Sequence, residues 1–366
     1  MRIVIAGGSM AGLFAAALLR KAGHDVQVYE RSKSGLQGRG AGLVAQQEVF
    51  DLLHIIGRDD VTRFGVMARD RITLDRDGSV ASVSGPPQMQ VSWDHLYVAA
   101  RMQIADDAYH LGRGIVSAGQ DANGAWVALD DGERVCCDLV IGADGIGSAV
   151  RRAMLPGDEG PSYAGYVAWR ALVPERLLPA SASQVLSDRF AFFHMPGGQA
   201  LGYTVSGAAG ELTPGQRRYN AVWYRTTPDL ATALTDLEGR VHPYSLPPGA
   251  VRPEAVRALL ASSHALLPPP FANVFAAEPQ PFVQAIFDLR TPRMAGERLA
   301  LIGDAAFVAR PHTAMGVAKA AGDAMALTRA VAHGWTPQAR GAFESERLRF
   351  GNAIVDHGRR LGASLG

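Results

Sequence analysis

The chain reads as an α/β protein in two interleaved parts: a parallel-sheet domain that carries a β-meander and closes in helices, and a β-sheet domain inserted within it. Three stretches predict this. The opening residues run strand, glycine turn, helix, strand; two later buried strands end in Asp144-Gly145 and Gly303-Asp304; and from Tyr163 to Tyr224 the hydrophobic period shortens to that of strands.

Arg2-Ile3-Val4-Ile5-Ala6 is a short apolar run rich in β-branched residues, too brief for a helix, and so a buried parallel strand. Gly7-Gly8-Ser9-Met10-Ala11-Gly12 follows, then Leu13 to Gly23, good helix formers ending in Arg20, Lys21 and a glycine stop. Asp25-Val26-Gln27-Val28-Tyr29 is a second strand and runs into Glu30. Such a unit is Rossmann-like: the helix N-terminus offers unpaired N–H groups and a positive dipole end to a pyrophosphate, and the acid accepts ribose hydroxyls. Ser9 stands at the middle glycine of the fingerprint and is small enough to let the backbone come close. Glu30 favours a free 2′-hydroxyl over a 2′-phosphate, which selects FAD or NAD over NADP as the bound nucleotide.

At 366 residues the chain can form two domains or one with an inserted lobe, and its 48% apolar and 19% charged residues describe an ordinary soluble globule. A formal net charge of +1 gives no electrostatic case for nucleic acid or an anionic membrane. The only cysteines, Cys136 and Cys137, are adjacent; this excludes a disulfide framework and a zinc-type ligand set, no metal is expected, and both read as small buried thiols at a strand end. There is no basic region before a signal-type apolar segment and no run approaching ~20 uncharged apolar residues, so a soluble cytoplasmic protein is expected.

After Glu30, Arg31 to Gly42 is a polar, glycine-dense loop in which Arg39 is the natural partner for a phosphate, or else a solvated arginine. Gln46 to Ile56 reads as an amphipathic helix stopped by Gly57. From Gly65 to Val91 short β-like runs form an excursion into a second lobe, and Ser92 to His110 reads as helix. Gly114 to Ser117, Ala125 to Leu129 and Glu133 to Cys137 make the three-strand meander. The strand through Ile141 then delivers Asp144-Gly145 to a turn, where the carboxylate either holds a hydroxyl or caps the next helix. From Tyr163 to about Tyr224 the strands are aromatic and alternate, which suggests one covered face and one face over a ligand space. Residues 226 to 275 hold helical patterns and proline-rich loops. Then a strand ends in Gly303-Asp304, the loop Arg310-Pro311-His312-Thr313-Ala314-Met315-Gly316 feeds a helix from Val317 to His333, and Pro337 to Leu361 is a closing helix.

In order and spacing these motifs resemble the single-component flavoprotein aromatic hydroxylases, the group of para-hydroxybenzoate and salicylate hydroxylases. The resemblance runs nearly end to end. Its parts are the G-x-S-x-x-G turn with Glu30, Asp144-Gly145 with Ser148 and Arg151, and Gly303-Asp304 with Pro311 and Gly316. A nearer resemblance, to the dihydroxypyridine hydroxylase branch, rests on Tyr163 to Val167 with Trp169-Arg170, on Trp223-Tyr224, and on Arg310 to Ala320.

The resemblance implies an FAD-binding domain of the GR2 type formed by residues 1–70, 92–162 and 281–366, with 71–91 and 163–280 as the substrate-binding β-sheet domain. It implies that Gly7, Gly8, Ser9, Met10, Ala11, Gly12, Glu30 and Arg31 hold the ADP half of FAD, with Arg39 and Gln46 nearby. Gly303 and Asp304 would bind the ribityl chain, Ala314, Met315 and Gly316 would lie against the isoalloxazine, and Asp144 would serve FAD and the reduced nicotinamide. Many members begin the helix after the first β excursion with an arginine; that position is Trp93 here, and Arg101 lies about two turns further on. One dinucleotide fingerprint for two nucleotides counts against a separate nicotinamide domain.

The implied activity is an NADH- or NADPH-consuming monooxygenase in which FAD and O2 form a flavin C4a-hydroperoxide that hydroxylates a small electron-rich aromatic or N-heteroaromatic ring. His312 is the candidate acid or base, the Pro311 carbonyl a candidate acceptor beside the flavin, and Tyr203 a further catalytic candidate. Arg170, His194, Tyr203 and Tyr224 are candidates for substrate contact. Relatives suggest a homodimer. Other readings keep the fold but change the ring, to a urate or salicylate type or a larger natural product, or make the chain an FAD-binding reductase or cyclase without oxygen, or a flavin binder that has lost catalysis.

Overall fold

The computed structural model describes residues 1–38 and 42–365. Five parallel strands run in the order Leu299–Leu301, Leu139–Gly142, Arg2–Ala6, Asp25–Glu30 and Tyr109–Leu111. The opening strand is therefore central, and the glycine turn and the loops carrying Asp144 and Asp304 leave the sheet at its carboxyl edge, where open α/β sheets bind ligands. Ile3 to Ala6 are at most 2% exposed, because both faces of the sheet are covered; that is why the run shows no alternation. The helix Met10–Lys21 packs between the strand Asp25–Glu30 and the helix Gly316–Ala332, burying every residue from Met10 to Leu19.

The antiparallel meander is Ile115–Asp121, Gly124–Leu129 and Arg134–Cys137. Cys137 is buried but Cys136 is exposed, since neighbours on a strand point to opposite faces; the expectation of two buried thiols is corrected to one. The stretch from Ser92 to His110 is not one helix either. Helix Trp93–Arg101 ends where the Arg101 guanidinium donates to the Ile104 carbonyl and to Asp106, both at 2.6 Å, and Tyr109–Leu111 becomes the edge strand of the parallel sheet.

The larger sheet runs Ser245–Leu246, Phe282–Arg290, Ser162–Pro174, Arg218–Thr226, Gly198–Val205, Phe190–Met195, Arg71–Leu74 and Val80–Ser84, with Phe307–Val308 paired to Phe282–Arg290. Its two faces separate by alternation. Trp169, Ala171, Ala221 and Trp223 join a core completed by the helices Ala180–Leu186, Pro253–Leu266 and Pro269–Ala276. Tyr166, Arg170, Tyr203 and Tyr224 occupy the opposite face, away from those helices. A third sheet, Gly42–Val44, Gln88–Ser92 and Val66–Ala68, lies on Gly198–Val205, close enough that a Cβ on Gly42 would stand 2.3 Å from the Tyr203 ring. The 65–91 excursion is thus shared by two sheets. The helix Pro337–Leu361 closes the chain against Gly316–Ala332.

Candidate active site

Two glycines of the first turn leave no room for a side chain. A Cβ on Gly12 would lie 1.9 Å from the Gly7 carbonyl oxygen, and Gly7 itself has φ +97° and backs onto Ala143. The Gly8 N–H donates to Glu30 Oε2 at 2.8 Å and its carbonyl accepts from the Tyr109 hydroxyl at 2.9 Å. Glu30 is 6% exposed, and its second oxygen accepts the Ser32 N–H. The acid thus holds the turn through two backbone donors, each of its oxygens keeping one lone pair. Ser9 is extended (φ −90°), so serine in place of glycine carries no backbone strain, and its side chain caps nothing. With no acid in the first turn, the N–H groups opening the helix are unclaimed by any side chain.

In the second loop Asp144 takes the capping role. Asp144 Oδ2 accepts the Ala149 N–H at 2.7 Å, opening the helix Ala149–Met154, while Oδ1 is buried without a partner; burial raises the carboxyl above its ordinary value. Ser148 Oγ accepts the Arg151 N–H. Arg151, 2% exposed, donates to Asp158 (2.8 Å), to the Ile146 carbonyl (2.8 Å) and to the Ala305 carbonyl (2.9 Å), tying the second loop to the third.

In the third loop Gly303 has φ +61° and lies so close to Ala11 that a Cβ would stand 2.6 Å from that side chain. Asp304 is 57% exposed beside it. Ala314 takes a left-handed conformation, φ +53°, and Gln46 Nε2 holds its carbonyl at 2.9 Å. The helix Gly316–Ala332 again starts with neither a side-chain cap nor an acid.

Facing this loop from the large sheet is a group of rings. His312 Nε2 is 2.8 Å from the Tyr166 hydroxyl, and its ring centroid is 4.3 Å from that of Tyr224. Burial, aided by Arg310, pushes His312 down to about 4, so the imidazole is neutral near pH 7. Arg310 is fixed by Asp288 at 3.0 Å and by the Gly362 carbonyl. Burial, opposed by Arg170, pushes Tyr224 up to about 12 and raises Tyr203 as well. Arg170 Nε is buried without a partner, and among the described residues no carboxylate forms an ion pair with this side chain. Asn220, opposite Tyr203 on the neighbouring strand, is fully buried with both amide atoms unpartnered.

His312, which follows Pro311 in the third loop, meets Tyr166 and Tyr224 of the large sheet, and Arg170 shares the sheet face of those two tyrosines; the glycine turn, Asp144 and Asp304 sit on the loops that leave the parallel sheet. Other candidates stand apart. His194 is exposed at a strand end, stacked on Phe192, and does not join the buried rings; Arg31 is exposed; Arg39 lies outside the described residues. Trp93 opens its helix stacked on Tyr97, and Arg101 lies over the Tyr109 ring at 4.3 Å with its donors engaged, so it does not stand in for the missing arginine. Tyr166, Asn220 and Tyr109 were not foreseen. Period two from Arg170 places Tyr166 on the ligand face, a signal that was present; no local signal marks Tyr109 as the partner of Gly8. Among the described residues no three or more His, Cys, Asp or Glu side chains could hold a metal ion, and no helix is long and apolar enough to cross a membrane.

Two helix starts without side-chain caps, a glycine cradle that any Cβ would fill, and an orphaned buried oxygen on Asp144 together fit FAD. Known proteins agree. A family model described as FAD binding domain matches residues 1–175, and one described as FAD binding domain-like matches 163–288. The 2,6-dihydroxypyridine 3-monooxygenase of Paenarthrobacter nicotinovorans is 32% identical, the match covering 100% of this chain and 91% of that protein. The solved structure of 2,6-dihydroxypyridine-3-hydroxylase from Arthrobacter nicotinovorans superposes with a TM-score of 0.92 at 30% identity, covering 100% of this chain and 92% of that one. Klebsiella pneumoniae HpxO, solved with FAD and uric acid, shares the fold at a TM-score of 0.78 and 24% identity, covering 100% of this chain and 89% of its own. The dinucleotide cradle, the ring-lined face opposite it and these full-length likenesses lead to one conclusion: the chain belongs to the FAD-dependent aromatic hydroxylases, the single-component flavoprotein monooxygenases.

Proposed function

We propose that this monooxygenase uses O2 and NADH or NADPH to hydroxylate a small, electron-rich ring carrying acidic hydroxyl groups, of the dihydroxypyridine kind. The observation that carries the reading is a neutral His312 held by Tyr166 and set against Tyr224, on the same side as an unpaired Arg170. FAD, when bound, supplies the electron transfer and oxygen activation that no side chain offers.

The protein's own share is orientation, exclusion of water and management of one proton. The parallel sheet and its carboxyl-edge loops hold the cofactor, and the larger sheet, which includes Phe282–Arg290, presents the ring. Buried Tyr203 and Tyr224 give the ring an apolar wall with phenol donors at its rim. Neutral His312 exchanges the substrate's hydroxyl proton at an imidazole nitrogen, and Tyr166 fixes the ring that does so. Arg170 then faces the resulting ring oxyanion, for which its guanidinium is a charge-assisted donor. Loss of that proton raises electron density on the ring carbons, which is what an electrophilic oxygen requires. The reading includes a cytoplasmic homodimer, checked in its second part by light scattering on the holoenzyme.

The test is oxygen uptake and product analysis with dihydroxypyridines, hydroxybenzoates and urate. A dihydroxypyridine-like ring should gain one oxygen atom from O2 per nicotinamide oxidised. Uptake that no ring stimulates, or product only from a carboxylated ring, sinks the proposal.

A further inference from the structure

Lys319, in the first turn and a half of the helix Gly316–Ala332, is one of the three lysines in the chain and is 1% exposed. Its ammonium donates no hydrogen bond. Two carboxylates are near: Asp304 Oδ1 at 3.4 Å and Asp323 Oδ2 at 4.0 Å. Asp323 is already committed, since Oδ2 accepts the Gly303 N–H at 2.8 Å and Oδ1 accepts Arg347 Nε at 2.7 Å. Asp304 has no other cationic partner among the described residues, and its side chain is 57% exposed.

A buried ammonium with unused donors is costly; an apolar side chain of like length would fill the same volume without desolvating a charge. What the cation gains is one oxygen of a carboxylate whose other end is open. Without it, an exposed aspartate next to a left-handed glycine would move among its staggered rotamers and spread its charge in water. The ammonium stands nearest one carboxylate oxygen, Oδ1, and among the described residues no hydrogen bond occupies the other.

We propose that Lys319 is a positioning residue for the cofactor: it orients the Asp304 carboxylate to accept a hydroxyl of the polyol chain of FAD. Lys319 thereby couples the Gly303-Asp304 turn to the helix that follows the Pro311–Gly316 loop. This rests on the reading of Asp304 as a cofactor contact. It assigns to a residue within the core an effect on binding that occurs at the surface.

The experiment is a double-mutant cycle on FAD affinity, with Lys319→Met, Asp304→Asn and both together, each apoprotein titrated with FAD by quenching of flavin fluorescence. Lys319→Met should weaken FAD tenfold or more, and in the Asp304→Asn background it should weaken it less than threefold, because the residue acts through that carboxylate. Lys319→Arg, which keeps the cation, should recover part of the affinity. The melting temperature of each apoprotein is the control for packing.

If Lys319→Met weakens FAD equally with and without Asp304, or binds it like wild type, the positioning role is overturned. It is overturned likewise if the loss in affinity only mirrors a loss in apoprotein melting temperature. If Lys319→Met does not fold, Lys319→Gln, which removes the charge but keeps a polar end, is compared with Lys319→Gln/Asp304→Asn by the same criterion. Asp304→Asn binding FAD like wild type would instead remove the cofactor reading of Asp304, a separate failure.

Discussion

His312 is where burial decides chemistry. An exposed imidazole titrates near 6.5, but this one is pushed down to about 4, chiefly by burial. It is therefore neutral, and available as a proton carrier, at any pH well above 4. The acid limb of the activity profile that belongs to His312 should fall near pH 4, and a limb at 6.5 that vanishes in His312→Asn would contradict the assignment. That substitution should lower kcat by roughly 10²-fold or more, the usual worth of a positioned acid or base. The same shift has a consequence for stability. Between pH 6.5 and about 4 the unfolded chain binds a proton that the folded chain excludes, so this contribution is complete above pH 6.5 and is lost as pH falls toward 4. Denaturant midpoints of wild type and His312→Asn across that window measure it, and the variant should show the weaker pH slope. At Gly8 the constraint is steric. An alanine Cβ would stand 2.3 Å from the Tyr109 hydroxyl, so Gly8→Ala should displace the Tyr109 side chain or the turn and abolish FAD retention on purification.

Among the elements, the helix Met10–Lys21 shows how stability and binding are set against each other. Its N-terminus has no side-chain cap and no acid, although a cap is worth about 1 kcal/mol. Ser9→Asp would place an acceptor there. The apoprotein should melt higher while FAD affinity falls by roughly tenfold or more, since a fixed carboxylate competes with pyrophosphate for the same N–H groups. Tighter FAD binding by the variant would rule out a pyrophosphate at that terminus. This element was legible because all its signals are local: a β-branched strand, glycines, helix formers, a basic end. The edge strand Tyr109–Leu111 was not, since three residues after an acidic turn carry no period of their own, and only Tyr109 reaching the Gly8 carbonyl explains why the chain turns there. Tyr166 and Lys319 were missed for a similar reason. Their partners, His312 and Asp304, lie on other segments, and sequence shows a partner only after the strands and helices are placed.

For the whole molecule, the question is how three distant loops become one site. Arg151 does part of this, joining the Ile146 carbonyl, Asp158 and the Ala305 carbonyl inside the protein. Arg151→Met would leave Asp158, 13% exposed, without its cation, and should cost about 3–5 kcal/mol, read from the denaturant midpoint. A cost under about 1 kcal/mol would show that the loops are held elsewhere. The entry of the chain into the larger sheet at Ser162 was readable from the switch of hydrophobic period at Tyr163. The sharing of the 65–91 excursion between two sheets was not, because pairing partners such as Phe190–Met195 for Arg71–Leu74 are more than a hundred residues away.

The central proposal is that the ring-lined face around His312 and Arg170 binds the aromatic substrate beside the flavin, so that the flavin's reduction reports on the ring. The most direct measurement is the stopped-flow rate at which NADH or NADPH bleaches the visible absorbance of the flavin, with and without a dihydroxypyridine, and in Arg170→Met. The ring should accelerate bleaching many-fold in the wild type and far less in Arg170→Met. A protein that purifies without flavin, or a flavin that no nicotinamide reduces whatever ring is added, would contradict the proposal.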